Sequence, residues 1–229
     1  MTTEPEEIPE APALPVAVIT GGAGDLATAI ARQFPPENWQ VHAPSRQELD
    51  VTLEESVAAY FNTLSRLDLL VCNAGAIDDR PLPALTEENW NRIVAVNLSG
   101  AFLSLRAALP LLCRQGGRII LIGSRAGRRG GSGNSHYAAG KAGLIGLAQS
   151  VAKEHGADNV RCNVVLPGFL DTKMTADLPT AVRENARAQH LLGRFNTVED
   201  AARGIAFVAS LDHVSGQVFQ FDSRVDRWT

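Results

Sequence analysis

The sequence predicts an α/β fold, a single doubly wound parallel sheet of six to seven strands with helices on both faces. Three observations predict it. Short β-rich runs alternate with longer helical ones along the chain, the order in which crossover helices cover a parallel sheet. The central β-rich runs are unbroken apolar stretches, such as Ile119-Ile120-Leu121-Ile122, as strands buried on both sides require. The first of them runs into a glycine turn that opens directly onto a helical segment.

In chain order, the strand candidates are Val16–Thr20, Gln40–Ala43, a short Glu48–Val51, Leu67–Cys72, Arg118–Gly123, Val160–Leu166 and Gly216–Phe221. The helix candidates are Asp25–Phe34, Leu53–Leu64, Glu87–Leu112, His136–His155, Thr175–Gln189 and Val198–Ser210. One connection breaks the pattern. Only Pro44 to Gln47 separates the second and third strand candidates, whereas a parallel crossover needs about a dozen residues or more. No helix fits there, so the third strand is expected as a stub or a bent edge.

The 229 residues are 45% hydrophobic and 20% charged, ordinary values for one globular domain with a large core. No apolar run approaches the ~18 residues of a membrane span. The opening MTTEPEEIPEAPALP has neither the basic nor the apolar region of a secretory signal. Glu4, Glu6, Glu7 and Glu10 account for the net charge of −4, leaving 21 acids against 21 bases in the body. A balanced body offers no field for nucleic acid. Residues 1–15 therefore read as an acidic, proline-rich, disordered leader, and residues 16–229 as the folded domain. Cys72, Cys113 and Cys162 are widely spaced and odd in number, and the five histidines form no H-x-x-x-H pair. Neither a disulfide framework nor a metal site is expected, and a reduced, cytoplasmic setting fits best.

Val16-Ala17-Val18-Ile19-Thr20 leads into Gly21-Gly22-Ala23-Gly24-Asp25-Leu26-Ala27, after which a helix begins. Strand, glycine turn and helix is the order of a dinucleotide-binding corner, where backbone and helix N-terminus take a pyrophosphate. Gly22-x-Gly24-x-x-Ala27 matches G-x-G-x-x-A literally. Asp25 has two readings. Its carboxylate would repel a pyrophosphate, or it caps the free N–H groups of the helix start; the sequence favours the cap.

Tyr137 and Lys141 stand at i and i+4 at a helix start, one turn apart on one face. A fixed cation beside a phenol favours the phenolate and lowers a pKa that is otherwise near ~10, making the tyrosine a usable acid or base. Thirteen residues upstream, Ser124 ends the run RIILIGS, at the sheet edge where open α/β folds bind ligands. A hydroxyl there can donate to a carbonyl oxygen as charge develops on it. Asn97 lies mid-helix in an apolar stretch, which implies either a local backbone bond or a functional water.

Taken together these motifs resemble the short-chain dehydrogenase/reductase family across Val16–Asp222. Thr20-Gly21 with the glycine turn, Asn73-Ala74-Gly75, Ser124 with Tyr137-x-x-x-Lys141, and Pro167-Gly168 fall in that family's order. The segments HYAAGKAGLIGLAQSVAKE and RCNVVLPGFLDTKMT are similar to those of the 3-oxoacyl-[acyl-carrier-protein] reductases within it. The resemblance implies a Rossmann-like fold with Tyr137 as proton donor and Lys141 holding the nicotinamide ribose and lowering the tyrosine pKa. It implies further that Ser124 orients the substrate carbonyl and that Asn97 anchors a relay water. It also assigns the dinucleotide to Thr20, Gly21, Gly24, Asp25, Leu26, Asp50, Val51, Asn73, Ala74, Gly75, Pro167, Gly168, Leu170 and Thr172, beside Tyr137 and Lys141. Relatives are usually homodimers or homotetramers built on two long helices, here Glu87–Leu112 and His136–His155.

Three features depart from the family. The turn has G-x-x-G-x-x-A spacing, nearer the family's longer-chain, epimerase-like branch, with Asp25 and Ala27 replacing two usual glycines. No helix separates strands two and three. After GQVFQFD stand Ser223-Arg224, where the nearest relatives carry two glycines.

At the end of the second strand Ser45 and Arg46 stand with no acid; an arginine there accommodates a ribose 2′-phosphate, which favours NADP(H) over NAD(H), the alternative being a plain loop arginine. Arg125, Arg128 and Arg129 form either a magnet for an anionic handle, such as the phosphopantetheine of acyl carrier protein or coenzyme A, or a solvated basic loop. Thr172–Phe195 is similar to the family's substrate lid, and Leu178, Leu191 and Leu192 suit an apolar substrate or a helix packed on the core. The leading expectation is an NADPH-dependent reductase of a 3-oxoacyl thioester. The alternatives are a dehydrogenase of another secondary alcohol, sugar or polyketide, and a nucleotide-sensing protein without turnover. Neither nucleic acid nor membrane is expected as a partner.

Overall fold

A computed structural model describes residues 13–225; of the disordered leader expected over residues 1–15, residues 1–12 lie outside them. The strands are β1 (Val16–Ile19), β2 (Gln40–His42), β3 (Leu69–Cys72), β4 (Gly117–Ile122), β5 (Val160–Leu166) and β6 (Val218–Gln220). They form one sheet in the order β2-β1-β3-β4-β5-β6, parallel throughout. The expected Rossmann-like doubly wound sheet is the fold of the chain.

Strand periodicity sorts the core into two layers. Val18, Leu70, Ile119, Leu121 and Val164 face one side and meet α2 (Glu54–Phe61), α4 (Gly100–Leu112) and α6 (Ser135–His155). Ala17, Ile19, Leu69, Val71 and Ile120 face the other and meet α1 (Asp25–Ala31) and α8 (Val198–Ser210). Because β1, β3 and most of β4 are buried on both sides, their sequences carry no polar alternation.

Glu48–Val51 is not a strand, which leaves six. The Ser45 N–H is taken by the Glu48 carboxylate at 2.7 Å, and the N–H groups of Glu48 and Leu49 return to the Ser45 carbonyl. The segment closes into a turn, and Leu49 and Val51 enter the core as plugs. Four intervening residues were too few for a crossover, and the chain spends them turning.

The long helix expected over Glu87–Leu112 is interrupted. It consists of α3 (Glu87–Val94), a π-helical turn over Ala95–Ser99, and α4. By length and composition this run is the one helix among the described residues able to cross a membrane. Here its Ala101, Leu105, Ala108 and Leu112 are buried in the core. A short α5 (Ala126–Arg129) follows β4, and α7 (Thr180–Ala188) starts later than expected, behind Pro179. A proline with fixed φ and no N–H suits a helix entry better than an interior.

Candidate active site

Crossovers leave the sheet in opposite directions on either side of the β1/β3 pair, and this is where an open α/β sheet binds ligands. A cavity of about 720 Å³ opens there, at the carboxyl ends of the strands. Gly21, Gly24, Asp25 and Leu26 line it from the first turn, Arg46, Asp50 and Val51 from the second, and Asn73, Ala74 and Gly75 from the end of β3. Asn97, Ser124, Tyr137 and Lys141 form its floor, with Pro167, Gly168, Leu170 and Thr172 opposite.

Two expected cofactor residues do not reach it. Thr20 is buried, and its Oγ1 accepts the backbone N–H groups of Asn73 and Ala74, both at 3.0 Å. It fastens β1 to β3 beneath the cavity. Ser45 is held in the Glu48 turn and is not part of the lining.

The glycine corner is shaped for close backbone approach. Gly21 has φ +70, and a Cβ on it would come within 3.0 Å of Ala74 Cα. A Cβ on Gly22 would sit 1.9 Å from the Ala43 carbonyl oxygen, so only glycine lets the turn lie against the end of β2. Asp25 does not cap α1, which has no side-chain cap. Instead its Oδ2 accepts the backbone N–H of Lys173 at 2.8 Å. That contact spans 148 residues, too far for a local cap signal to foretell.

Asn97 occupies the π-helical turn, a widening often found at functional sites. Its amide donates to the carbonyls of Ala76 at 2.8 Å and Ile93 at 2.9 Å. Its Oδ1 is buried without a partner. A Cβ on Gly75 would lie 3.2 Å from that oxygen and 3.7 Å from Lys141 Nζ, so Gly75 keeps open a polar niche between them. The glycine cradle and this orphaned acceptor, in a cavity of that volume, fit a dinucleotide.

Lys141 is buried, and its Nζ donates to the Ile122 carbonyl at 2.8 Å. Burial lowers its pKa to about 8, against a smaller upward pull from Cys72, whose own thiol burial pushes to about 12. The ammonium stands 5.7 Å from the centre of the Tyr137 ring. Burial raises the Tyr137 pKa; its hydrogen bond with Ser124 lowers it, and the Asp79 carboxylate adds to the rise. The expected lowering of the phenol by the cation is therefore corrected: the net shift is upward, because desolvation of the phenolate outweighs the favourable contacts.

Sequence reasoning missed several lining residues: Asp79, Asn134, Phe169 and Arg224. Arg224, in the departure from the family's glycine pair, donates from Nε to the buried Asp222 carboxylate at 2.8 Å. Of the basic loop, Arg125 reaches the cavity wall and donates to Gln189 at 3.1 Å. Leu178 lines the cavity, while Leu191 and Leu192 are exposed.

A parallel sheet with a glycine cradle beside a Ser-Tyr-Lys floor is the framework of a nucleotide-dependent oxidoreductase. Comparison with known proteins narrows the class. Residues 21–223 match the family described as Enoyl-(Acyl carrier protein) reductase. The chain is 38% identical to the 3-oxoacyl-[acyl-carrier-protein] reductase FabG of Thermotoga maritima, over 80% of this chain and 74% of that one. It is 34% identical to the 3-oxoacyl-[acyl-carrier-protein] reductase MabA of Mycobacterium bovis over 90% of both. It is 43% identical to the (3R)-3-hydroxyacyl-CoA dehydrogenase of Rattus norvegicus, over 70% of this chain and 61% of the relative. The chain belongs to the short-chain dehydrogenase/reductase family and is an NAD(P)-dependent oxidoreductase.

Proposed function

We propose that this protein reduces the ketone of a 3-oxoacyl thioester to a secondary alcohol, with NADPH as hydride source. The observation that carries the reading is the convergence of Ser124, Tyr137 and buried Lys141 on one cavity, with Lys141 Nζ 5.7 Å from the centre of the Tyr137 ring. Gly21, Gly24, Asn73 and Gly75 would hold the dinucleotide, which supplies the hydride when bound. Ser124 donates to the substrate carbonyl and holds it against the phenol. Tyr137 gives its proton to the same oxygen as negative charge develops there, and a raised pKa keeps that proton in place until it is needed. Lys141 offers a cation to the ribose and stabilises the phenolate left behind. Asn97, its amide tied to the backbone, presents Oδ1 to a water that returns the proton.

Arg46 supports the choice of NADPH. Its Nε donates to Asp50 Oδ2 at 3.0 Å, which orients the guanidinium at the cavity mouth for a 2′-phosphate. The Asp50 pKa is lowered, chiefly by the Thr52 hydroxyl. Phe169, Met174, Leu178 and Val182 line the side of the cavity nearest the lid, apolar surface suited to an acyl chain. The names of the relatives support carrier protein or coenzyme A as the thioester's handle. Assembly through α4 and α6 belongs to the same reading, and Phe102 on α4 stands exposed for it.

The test is NADPH oxidation against a panel of 3-oxoacyl thioesters, simple ketones and sugars. Turnover of the thioesters well above the other two classes is expected. Preference for a sugar or simple ketone would replace this reading with that of a different alcohol dehydrogenase.

A further inference from the structure

At the sheet edge opposite the cavity, three electron-rich side chains converge. Cys113 is the C-terminal cap of α4, His155 ends α6, and Asp158 lies in the turn before β5. Cys113 Sγ is 3.5 Å from His155 Nδ1, and that nitrogen is 3.2 Å from Asp158 Oδ2. All three atoms lie within 4.8 Å of one another. We propose that Cys113, His155 and Asp158 form a binding site for a divalent cation of the zinc class.

The distances carry the proposal first. With Zn–S of about 2.3 Å and Zn–N and Zn–O of about 2.0–2.1 Å, tetrahedral coordination places sulfur and nitrogen about 3.6 Å apart and nitrogen and oxygen about 3.3 Å apart. The two measured edges already have these lengths. The third, from sulfur to the carboxylate, is within 4.8 Å, and the Asp158 side chain is half exposed, with room to rotate onto a cation.

The donor chemistry carries it further. Both contacts of the imidazole fall on the same nitrogen. Protonated, Nδ1 donates to the carboxylate while the Cys113 S–H turns to the same carboxylate, so two protons crowd one acceptor. Bare, it accepts from the thiol and faces the carboxylate lone pair to lone pair. The Asp158 carboxylate also disfavours the thiolate of Cys113, adding to the rise caused by burial. One cation bonds to all three lone pairs at once, and on binding the thiol proton leaves to solvent. Two helices, of 13 and 21 residues, end here, and their carbonyl ends favour positive charge.

Thiolate, imidazole and carboxylate together suit Zn²⁺ better than Mg²⁺ or Ca²⁺, which prefer oxygen alone. Three protein ligands leave a fourth position for water. The site ties the end of α4 to the α6–β5 turn, so its effect falls on stability rather than on the redox chemistry, and it is independent of the reductase assignment. The sequence offers no metal motif because 42 residues separate Cys113 from His155.

The test uses the full chain after chelator treatment. Titration with Co²⁺ is expected to give a thiolate-to-cobalt charge-transfer band in the near ultraviolet that saturates at one equivalent and is displaced by Zn²⁺. Cys113→Ser and His155→Gln are each expected to remove the band and weaken Zn²⁺ binding at least about 100-fold, more than loss of an outer-shell partner. In the parent, Zn²⁺ should slow iodoacetamide modification of Cys113, the one cysteine of the three that is not buried, without requiring any variant. Cobalt binding with no thiolate band, a band that survives Cys113→Ser, or Cys113 alkylation unchanged by saturating Zn²⁺ would overturn the proposal.

Discussion

The Asp25 carboxylate accepts the backbone N–H of Lys173 at 2.8 Å, joining the glycine turn after β1 to the segment that covers the cavity. Lys173 Nζ stands 3.8 Å from the same carboxylate. An acid therefore occupies the corner where a pyrophosphate would lie, and its charge is partly answered by the lid.

Asp25→Asn keeps the shape of this contact and removes its charge. Dinucleotide affinity is expected to rise about 5-fold, the equivalent of ~1 kcal/mol of relieved repulsion. Fluorescence titration with NADPH measures it. Weaker binding in the variant would mean that fastening the lid matters more than repulsion.

Burial sets the ionisation of Lys141. Its pKa of about 8 lies below the ordinary 10.5, so between those values the unfolded chain binds more protons than the folded one. Stability from this group therefore rises with pH across that window, and below pH 8 the folded chain bears the full cost of a buried charge. Lys141→Met is expected to be inactive yet more stable at pH 7, by on the order of 1 kcal/mol once the lost Ile122 hydrogen bond is counted. The advantage should shrink between pH 8 and 10 in urea melts. A gap that is constant with pH would show that the ammonium titrates normally.

Arg46→Ala is expected to raise KM for NADPH about 10-fold and to leave NADH nearly unchanged, consistent with one charge-assisted contact to a 2′-phosphate at an exposed site. Steady-state rates with both cofactors decide. Equal losses with each would reduce Arg46 to a partner of Asp50.

Gly22→Ala places a methyl group 1.9 Å from the Ala43 carbonyl. The turn and the end of β2 must separate, and a loss of about 2 kcal/mol or more is expected from this overpacking. Chemical denaturation with unchanged midpoint would contradict the close approach.

The sheet was legible because its central strands are apolar on both faces: Leu70, Ile120 and Val164 each announce burial without reference to anything distant. Tyr137, Lys141 and Ser124 were legible because one helical turn and one strand end fix their relative positions. What the sequence concealed depends on side-chain contacts that neither periodicity nor motif spacing encodes. The Glu48–Val51 segment has strand-like residues but closes on itself through Ser45 and Glu48. The π turn at Asn97 leaves the apolar pattern of its helix intact, so periodicity passes over it. Thr20 stands in the glycine-turn motif, but the backbone N–H groups of Asn73 and Ala74 claim its hydroxyl. Arg224 reached the cavity wall only through its fork on Asp222.

The central claim is that the Tyr137 phenol delivers the proton in carbonyl reduction. Tyr137→Phe removes one oxygen atom, and its turnover should be followed with a 3-oxoacyl thioester alongside NADPH binding by fluorescence. The account expects turnover to fall by about 10²- to 10⁴-fold, the usual contribution of a positioned acid, with cofactor affinity within about 2-fold of the parent. Near-parental turnover in a variant that binds NADPH normally would contradict it.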